Sequence, residues 1–394
     1  MSEALARQYE EDRYRSFIHT QTHPRAIAAQ AQLFGFDRSV GGKLRVLEIG
    51  CNDGSNLLSM ASTLPGAHFL GIDLIESQIE KAQKSARKQD LQNVRFQTVD
   101  LDNFDPGDLS FDFIIAHGFF SWVPKAIQVK LLELCGQYLS EDGVALISYN
   151  VLPGASVQEA LRQLFTLEIM TAEQGGDRLS ESQKLAVFQD LSGFFEKASA
   201  AIPQTAKHWP HLRHGFERLK KKSNILIHDE GGEFWEAFYL LEFNQLIEEH
   251  GLTYLADVEI NRDWVHAYPQ PVREAMAERN MPRMKALQYS DFIFDTNFRT
   301  SLICREQHEA NIRSEPDLDR ISSFSMMPLA AYENLKKINP VVADCIRGNF
   351  AQRIGAPLAV TTISSLCLPD LSVEKTHLEV LKAQMHKALI LWAN

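Results

Sequence analysis

The amino-acid sequence predicts an α/β fold in which a doubly wound, mainly parallel sheet carries helices on both faces. Short apolar runs alternate with helix-length segments from Leu44 to Tyr149, which is the rhythm of parallel strands joined by crossover helices. The first run also leads into a glycine turn, Gly50 to Gly54. A strand, a glycine turn and a helix in that order form a nucleotide-binding element.

The predicted elements of this sheet follow one another in a regular order. An Ala-rich helix from Arg25 to Leu33 comes first. Apolar runs then predict five strands, at residues 44–49, 68–74, 94–99, 111–116 and 143–149. The segments between them predict helices at 55–64, 76–89 and 125–139. The fourth run is apolar apart from Asp112, and we expect it to form a strand buried on both faces.

The rhythm changes after Pro153 and Gly154. Residues 156–222 show only helical periodicity, and an insertion of this length predicts a subdomain of its own. An amphipathic helix at 233–250, closed by Gly251, precedes strand-like runs at 252–260 and 298–304. We interpret these as the last helix and the final antiparallel pair of the same sheet. Beyond Arg305 the sequence predicts mainly helices, at 328–337, 341–354 and 373–392.

Composition and charge exclude several classes of protein. The 394 residues carry a net charge of −11, and the longest basic block is Lys220 to Lys222. Nucleic-acid binding needs a concentrated basic face, so no nucleic-acid partner is expected. The five cysteines are scattered without a C-x-x-C pair, which indicates neither a disulfide framework nor a zinc site. The sequence has no apolar signal region and no stretch of about 20 apolar residues, so a soluble protein in the cytoplasm is expected.

The glycine turn indicates which ligand it binds. A dinucleotide fingerprint needs a second glycine where this chain has Asn52, and Glu48 ends the preceding strand. A carboxylate at that place repels a pyrophosphate but suits the ammonium and sulfonium groups of S-adenosylmethionine. The predicted cofactor-binding residues in this segment are Glu48, Gly50, Cys51, Asn52, Gly54 and Asn56.

Two further acids follow the next two strands. Asp73, with Leu74, lies about twenty residues beyond the turn, where a carboxylate can accept hydrogen bonds from the ribose hydroxyls. Asp100 and Leu101 follow the third strand and are predicted to contact adenine. Acids at strand ends often only cap the next helix, but their order and spacing favour a cofactor site.

These segments resemble class I methyltransferases. The wider chain is similar to bacterial methyltransferases that carry a methyltransferase regulatory domain, a group that includes the rickettsial protein-lysine methyltransferases. The matching segments are Thr22-His23-Pro24, Leu33-Phe34-Gly35, Val46 to Asn56, Ile114 to Gly118, Ser121 to Pro124, Ser148-Tyr149-Asn150, Pro153-Gly154, His250-Gly251-Leu252, Phe298-Arg299 and Ser301 to Arg305. The resemblance implies a seven-stranded, Rossmann-like methyltransferase sheet, S-adenosylmethionine as cofactor and a lysine side chain as acceptor.

The chain departs from this family's pattern at three places. Asn52 and Ser55 stand where the family often has glycines, and Phe120 stands where it has a tyrosine. The segment after Arg305 matches poorly. The regulatory-domain label covers the helix at 233–250 and the later strands, which we expect to complete the sheet and not to form a separable regulator.

The fold and the resemblance together predict five regions. They are an N-terminal lid or helical segment (1–42), a cofactor-binding methyltransferase core (43–155), a helical insertion serving as lid or substrate subdomain (156–228), the last helix and strands of the core (229–305), and a mainly helical C-terminal domain (306–394).

The acceptor site is expected beyond the fourth and fifth strands, because ligands of doubly wound sheets lie at the carboxyl ends of the strands. The predicted catalytic residues are His117, Trp122, Tyr149 and Asn150. His117 is either a base or a backbone contact to the cofactor, and Tyr149 and Asn150 are candidates to orient an amine. Phe119 and Phe120 either join Trp122 and Tyr149 in an aromatic wall around the cation or belong to the core.

Two further sets of residues allow more than one interpretation. Tyr9, Tyr14 and Thr22-His23-Pro24 precede the first strand and form either a lid over the cofactor or a packing strap. His208, His211 and His214 recur every three residues, but Pro210 interrupts them and methyl transfer needs no metal, so no metal site is predicted.

The sequence therefore favours a methyltransferase acting on a protein lysine. The alternatives are a small-molecule methyltransferase with the insertion as a lid, and a cofactor-binding interaction protein without catalysis. The C-terminal helices could support a homodimer.

Overall fold

The computed structural model describes residues 16–173, 179–201, 234–263, 265, 268–317, 320, 325–328 and 389–392. Within them, one sheet contains eight strands: β1 (Arg45–Ile49), β2 (His68–Asp73), β3 (Val94–Thr98), β4 (Phe111–Ala116), β5 (Leu139–Val151), β6 (Ala237–Phe238), β7 (Leu252–Asp257) and β8 (Phe298–Arg305). Seven of them lie side by side in the order β3-β2-β1-β4-β5-β8-β7, and the short β6 pairs with β5. β1 to β5 are parallel, and β8 is antiparallel to both of its neighbours. The predicted doubly wound sheet and its final antiparallel pair are confirmed.

Helices cover both faces of the sheet. They are α1 (Pro24–Leu33), α2 (Ser55–Thr63), α3 (Glu76–Lys88), α4 (Lys125–Tyr138), α5 (Ser156–Ala172), α6 (Glu181–Ala201), α7 (Leu240–Glu248), α8 (Ile260–Asp263), α9 (Gln270–Glu278) and α10 (Arg283–Phe294). Alternate side chains of each strand supply two cores. Val46, Phe113 and Val144 join the core beneath α1 to α3, whereas Leu47 and Ile114 join the core beneath α4 and α7.

The predicted helix at 233–250 is too long. Ala237–Phe238 is instead a two-residue strand, β6, that pairs in parallel with Asn150 and Val151. The backbone N–H of Glu236 bonds the carbonyl oxygen of Ser121, 2.9 Å away, which holds this segment extended beside the loop after β4. α7 begins only at Leu240, after the Glu242 carboxylate accepts the backbone N–H of Tyr239. The aromatic run 235–238 therefore fits an extended segment better than a helix.

Three helices between β7 and β8 were not predicted: the four-residue α8, and α9 and α10. α9 and α10 each follow a proline, Pro269 and Pro282, and proline is a frequent helix-start signal. The apolar residues of α10 show little helical periodicity, and α8 and α9 are short, so length and periodicity gave weak support for these helices.

The C-terminal region is described only in part. Ser325–Pro328 (β9) and Leu389–Trp392 (β10) pair as antiparallel strands. The predicted helix at 373–392 is therefore wrong over its last four residues, where a short apolar run does not distinguish helix from strand. Residues 341–354, 373–388 and most of 328–337 lie outside the described residues, as do Tyr9, Tyr14, His208, His211 and His214. No described helix is long and apolar enough to cross a bilayer.

Candidate active site

The turn between β1 and α2 brings backbone atoms close to a phenylalanine ring. The N–H groups of Gly50 and Cys51 both bond the carbonyl oxygen of Ile72, at 2.9 and 3.1 Å. Gly50 has φ +70°, and a Cβ added there would lie 2.9 Å from Cδ2 of Phe119. Glycine is therefore required at this position, both for its conformation and for the close approach.

Asn52 preserves the turn although it replaces a family glycine. Its φ is +50°, a left-handed conformation that asparagine tolerates better than most residues. Its backbone N–H donates to Oδ2 of Asp73, 2.8 Å away. The departure from the family pattern thus leaves the turn intact and ties it to the end of β2.

Glu48 places a buried carboxylate beneath the turn. Only 5% of its surface is exposed. Its Oε1 accepts a hydrogen bond from Nδ2 of Asn56, 2.6 Å away, while Oε2 is buried and has no hydrogen-bond partner among the described residues. Burial, and to a lesser extent the charges of Asp73 and Asp53, raise the pKa of Glu48 to about 7, against the lowering effect of Asn56. A buried oxygen of this kind is suited to receive a cation.

The acids after β2 and β3 both bond the local backbone. Oδ1 of Asp73 accepts the N–H of Ile75 at 2.9 Å, and burial raises the pKa of its carboxyl despite these bonds. Asp100 caps a short 3₁₀ helix, Leu101–Asn103, by accepting the N–H of Asp102 at 3.2 Å. Since β1, β2 and β3 are parallel neighbours, Glu48, Asp73 and Asp100 end at one edge of the sheet. Leu74 is half-buried there, and Leu101 is buried.

His117 follows β4 and contacts the N-terminal segment. Its ring centroid lies 4.0 Å from that of His19, and its Nε2 lies 3.4 Å from Nε2 of Gln21. Burial, followed by the charge of His19, lowers the pKa of His117 well below its ordinary value. His117 is therefore a neutral imidazole at pH 7.

Asn150 remains a site candidate at the end of β5. It is 4% exposed, and its backbone N–H donates to Oγ of Ser121. Its side-chain Nδ2 is buried and bonds no atom within the part of the chain that the structure describes. It is therefore a buried donor available to a ligand.

Tyr149 is not brought to this site. Strand alternation turns its side chain to the opposite face of β5, where it is fully buried and bonds Oγ of Ser301. Burial raises the pKa of its hydroxyl far above its ordinary value. Phe120 is likewise fully buried in this core. Of the four aromatic residues expected around the cation, only Phe119 and Trp122 therefore remain candidates.

Trp122 contacts a residue that the sequence reasoning missed. The guanidinium of Arg162, on α5, lies 5.5 Å from the ring centroid of Trp122 and 5.6 Å from that of Trp235. Arg162 is 7% exposed. These three residues belong to separate segments and share no local motif, so the sequence contains no signal that brings them together.

The N-terminal segment 16–23 lies against the first turn of α2. The backbone N–H of His19 donates to Oδ1 of Asn56, and Nδ2 of Asn56 donates to Oγ1 of Thr22, both at 2.9 Å. Nε2 of His23 lies 3.0 Å from Oγ1 of Thr63. The segment is therefore connected through Asn56 to Glu48.

Comparisons with known proteins agree with this arrangement. Residues 41–197 match the family described as a methyltransferase domain, and residues 222–305 match the family described as "Predicted methyltransferase regulatory domain". An uncharacterized protein of Rickettsia prowazekii is 32% identical over 81% of this chain and 56% of its own length. A second uncharacterized protein of the same organism is 34% identical over 46% of this chain and 72% of its own length.

Solved structures are also similar over most of the chain. PKMT2 from Rickettsia typhi, in complex with AdoHcy, superposes with a TM-score of 0.69 at 27% identity, over 80% of this chain and 58% of that one. The chain thus spans little more than half the length of PKMT2 and of the first Rickettsia prowazekii protein. On its sequence, its sheet order and these matches, the chain belongs to the class I S-adenosylmethionine-dependent methyltransferases that carry a methyltransferase regulatory domain.

Proposed function

We propose that this chain binds S-adenosylmethionine at the carboxyl edge of β1 to β4 and methylates a lysine side chain of a protein. The observation that carries the cofactor proposal is Oε2 of Glu48, a buried carboxylate oxygen without a hydrogen-bond partner in the described chain. Such a group is costly unless a cation or donor meets it. The cofactor's ammonium supplies both, and PKMT2 is a similar protein solved with AdoHcy.

The residues present fit the rest of this cofactor. Asp73 and Asp100 end on the edge to which Glu48 belongs, so they are proposed to face ribose and adenine respectively. Leu74 and Leu101 provide apolar surface beside them. Both carboxylates also bond backbone N–H groups, which fixes their positions before any ligand arrives.

The chemistry that the cofactor supplies when bound is an electrophilic methyl group on a sulfonium. The chain must hold a neutral amine in line with it and exclude water. His117 is a weak base because its pKa is depressed, so it cannot strip a proton from an ammonium with an ordinary pKa near 10.4. We propose that the lysine loses its proton on entering the buried site, where desolvation favours the neutral amine.

Within this scheme His117 and Asn150 hold the reactants. Neutral His117 accepts a hydrogen bond from the amine, and Nδ2 of Asn150 donates one to an oxygen of the bound ligands. The protein acceptor is supported by the sequence resemblance to rickettsial protein-lysine methyltransferases. The net charge of −11 also favours encounter with a cationic partner.

Methyl transfer into a bacterial lysate tests the proposal. The lysate is incubated with the protein and methyl-labelled S-adenosylmethionine, separated by size, and the labelled protein is hydrolysed to identify methylated amino acids. We expect label in protein as methyl-lysine, and none with the Glu48→Gln variant. Label in the small-molecule fraction would identify a metabolite methyltransferase, and AdoHcy binding without labelling would identify a non-catalytic binding protein.

A further inference from the structure

A closed cycle of hydrogen bonds links the N-terminal segment to Asn56. The backbone N–H of His19 donates to Oδ1 of Asn56 at 2.9 Å. Nδ2 of Asn56 donates to Oγ1 of Thr22 at 2.9 Å, and the Thr22 hydroxyl donates to the carbonyl oxygen of His19 at 2.8 Å. Thr22 is fully buried and Asn56 is 6% exposed, so water does not compete for these bonds.

The cycle allows only one orientation of the Asn56 amide. A backbone N–H can only donate and a backbone carbonyl can only accept. The amide oxygen must therefore face the N–H of His19. Since the Thr22 hydroxyl proton is used on the carbonyl oxygen of His19, Oγ1 of Thr22 can only accept from Nδ2. The remaining Nδ2 proton is then directed at Oε1 of Glu48, 2.6 Å away.

We propose that His19 and Thr22 are positioning residues, which hold the Asn56 amide with its N–H toward Glu48 and thereby keep Glu48 a carboxylate that can receive the cofactor's ammonium. This role rests on the proposed cofactor site but concerns hydrogen bonds within the protein and not contacts to the ligand. A reversed amide would place an oxygen against Oε1, and Glu48 would then take up a proton to bond it.

The orientation of the Asn56 amide determines the protonation state of Glu48, because the charges around Glu48 favour its protonated form. Asp53 from the turn and Asp73 from β2 face it and favour its protonated form, as does burial, whereas the Asn56 N–H favours the carboxylate. Three imidazoles and one thiol also lie near this site: His19 and His117, whose ring centroids are 4.0 Å apart, His23 in the segment, and Cys51 in the turn. Burial lowers the pKa of His117 and raises that of the Cys51 thiol, so both of these groups are neutral. Asn56 is thus the principal group opposing protonation of Glu48.

The proposal is tested on the ligand-free protein with a Thr22→Val variant, which removes the hydroxyl and keeps the shape. The ionisation of Glu48 is followed by the carboxyl carbon resonance of ¹³C-labelled glutamate, assigned by its absence in Glu48→Gln. In the wild type we expect a midpoint near pH 7. In Thr22→Val only the N–H of His19 still holds the amide, so the midpoint should rise, by up to roughly one pH unit, which is about the value of a hydrogen bond to a charged group. Thr22→Ser should restore the wild-type midpoint.

The matched control is Thr63→Val. This makes the same chemical change at the other attachment of the segment, where Thr63 meets His23, and it leaves the Asn56 cycle untouched. An unchanged midpoint in Thr63→Val together with a raised one in Thr22→Val supports the positioning role. Equal midpoints in Thr22→Val and the wild type, or equal rises in both valine variants, would overturn it.

Calorimetric titration with AdoHcy separates this inference from the cofactor proposal. We expect the acid limb of the affinity profile to move with the Glu48 midpoint, so that Thr22→Val binds AdoHcy up to about fivefold more weakly at pH 7. The amino group of AdoHcy sets the alkaline limb for all variants. A wild type that binds no AdoHcy at any pH refutes the cofactor site, whereas the ligand-free titration still decides the role of Thr22.

Discussion

The phenol ring of Tyr149 stacks on the ring of Phe243, with the two centroids 4.0 Å apart and the planes inclined by 21°. The Tyr149 hydroxyl lies 3.0 Å from Oγ of Ser301. The pair therefore joins β5, α7 and β8 within one core, on the face away from Glu48 and Asn150. Tyr149 therefore lies within β5 as a packing residue of the core.

Tyr149→Phe should accordingly leave the site unchanged. The ring stack is retained, and only the bond to Ser301 is lost, so we expect a loss of about 1 kcal/mol in the free energy of unfolding. Urea denaturation measures this loss, and calorimetry should give an AdoHcy affinity within about twofold of the wild type. A large loss of AdoHcy affinity with an unchanged free energy of unfolding would show that the Tyr149 hydroxyl contributes to the active site.

Local sequence patterns encode only part of this arrangement. β1 to β5 are local sequence patterns, and so are the carboxylates Glu48, Asp73 and Asp100 near the ends of β1, β2 and β3, which the sheet places at one edge. Alternate residues of a strand share a face, so Tyr149 lies on the same side of β5 as the core residue Ile147. This alternation would have excluded Tyr149 from the predicted catalytic residues. By contrast, the contacts of Arg162 and Thr22 join segments far apart in sequence, and no local spacing encodes them.

Glu48 is expected to reduce the stability of the ligand-free protein at neutral and alkaline pH. Its pKa is raised from 4.5 to about 7 in the folded protein, so the folded state binds the proton more tightly than the unfolded chain does. Its contribution is therefore favourable at low pH and is lost as the pH rises from about 4.5 to about 7. We expect Glu48→Gln to be more stable than the wild type at pH 8, by at most about 3 kcal/mol, and nearly equal to it at pH 4.5.

Thermal unfolding at several pH values measures this difference. The Asp105→Asn variant serves as a control, because Asp105 is an exposed carboxylate. If the difference in unfolding free energy between Glu48→Gln and the wild type did not grow with pH, the pKa of Glu48 would not be raised in the folded state. AdoHcy should stabilise the wild type more than Glu48→Gln at pH 8, because only the wild type offers the ammonium a carboxylate.

Asp73 is predicted to serve both the turn and the cofactor. Its two oxygens accept the N–H groups of Asn52 and Ile75, and an asparagine would turn an NH₂ group toward one of them. We expect Asp73→Asn to weaken AdoHcy binding by a factor on the order of ten to a hundred and to cost about 1–3 kcal/mol of stability. Calorimetry and urea denaturation measure the two effects. An AdoHcy affinity equal to that of the wild type would show that Asp73 does not contact the cofactor.

Arg162 is expected to affect acceptor methylation more than cofactor binding. Its guanidinium lies between the indoles of Trp122 and Trp235 and so attaches α5 to the loop after β4. Arg162→Met keeps much of the apolar stem but loses two cation–π contacts, each worth about 0.5–2 kcal/mol. We expect increased quenching of tryptophan fluorescence by acrylamide, an unchanged AdoHcy affinity, and a several-fold fall in labelling of lysate proteins.

The neighbouring Gln163→Ala is the matched control for that variant, because Gln163 is on the same helix and bonds only an exposed glutamate in the described structure. It should leave both fluorescence and labelling unchanged. A parallel loss of AdoHcy affinity in Arg162→Met would instead indicate a general loosening of the core.

Arg299 should hold the regulatory-domain segment to the sheet as one cooperative unit. Its fully buried guanidinium forms two short bonds with Asp291, at 3.0 and 2.8 Å, and lies 3.6 and 3.5 Å from Asp257 and Asp263. Arg299→Met would leave these carboxylates buried without their shared cation, so we expect a loss of about 3–5 kcal/mol. The loss should shrink as the pH falls below about 7, because burial already raises the pKa of Asp257 to about 7 and protonation relieves the charge.

The same substitution at Arg305 distinguishes a buried charge from a general effect on β8. The Arg305 guanidinium donates to the carbonyl oxygens of Gly136, Gln137 and Leu139 and pairs with no buried acid among the described residues, so Arg305→Met should cost about 1–3 kcal/mol with little dependence on pH. Urea denaturation followed by fluorescence and by circular dichroism should give coincident transitions for both variants. Separate transitions in Arg299→Met, with the segment unfolding before the rest, would instead mean that β7 and β8 are an independent regulatory unit that merely borders the sheet.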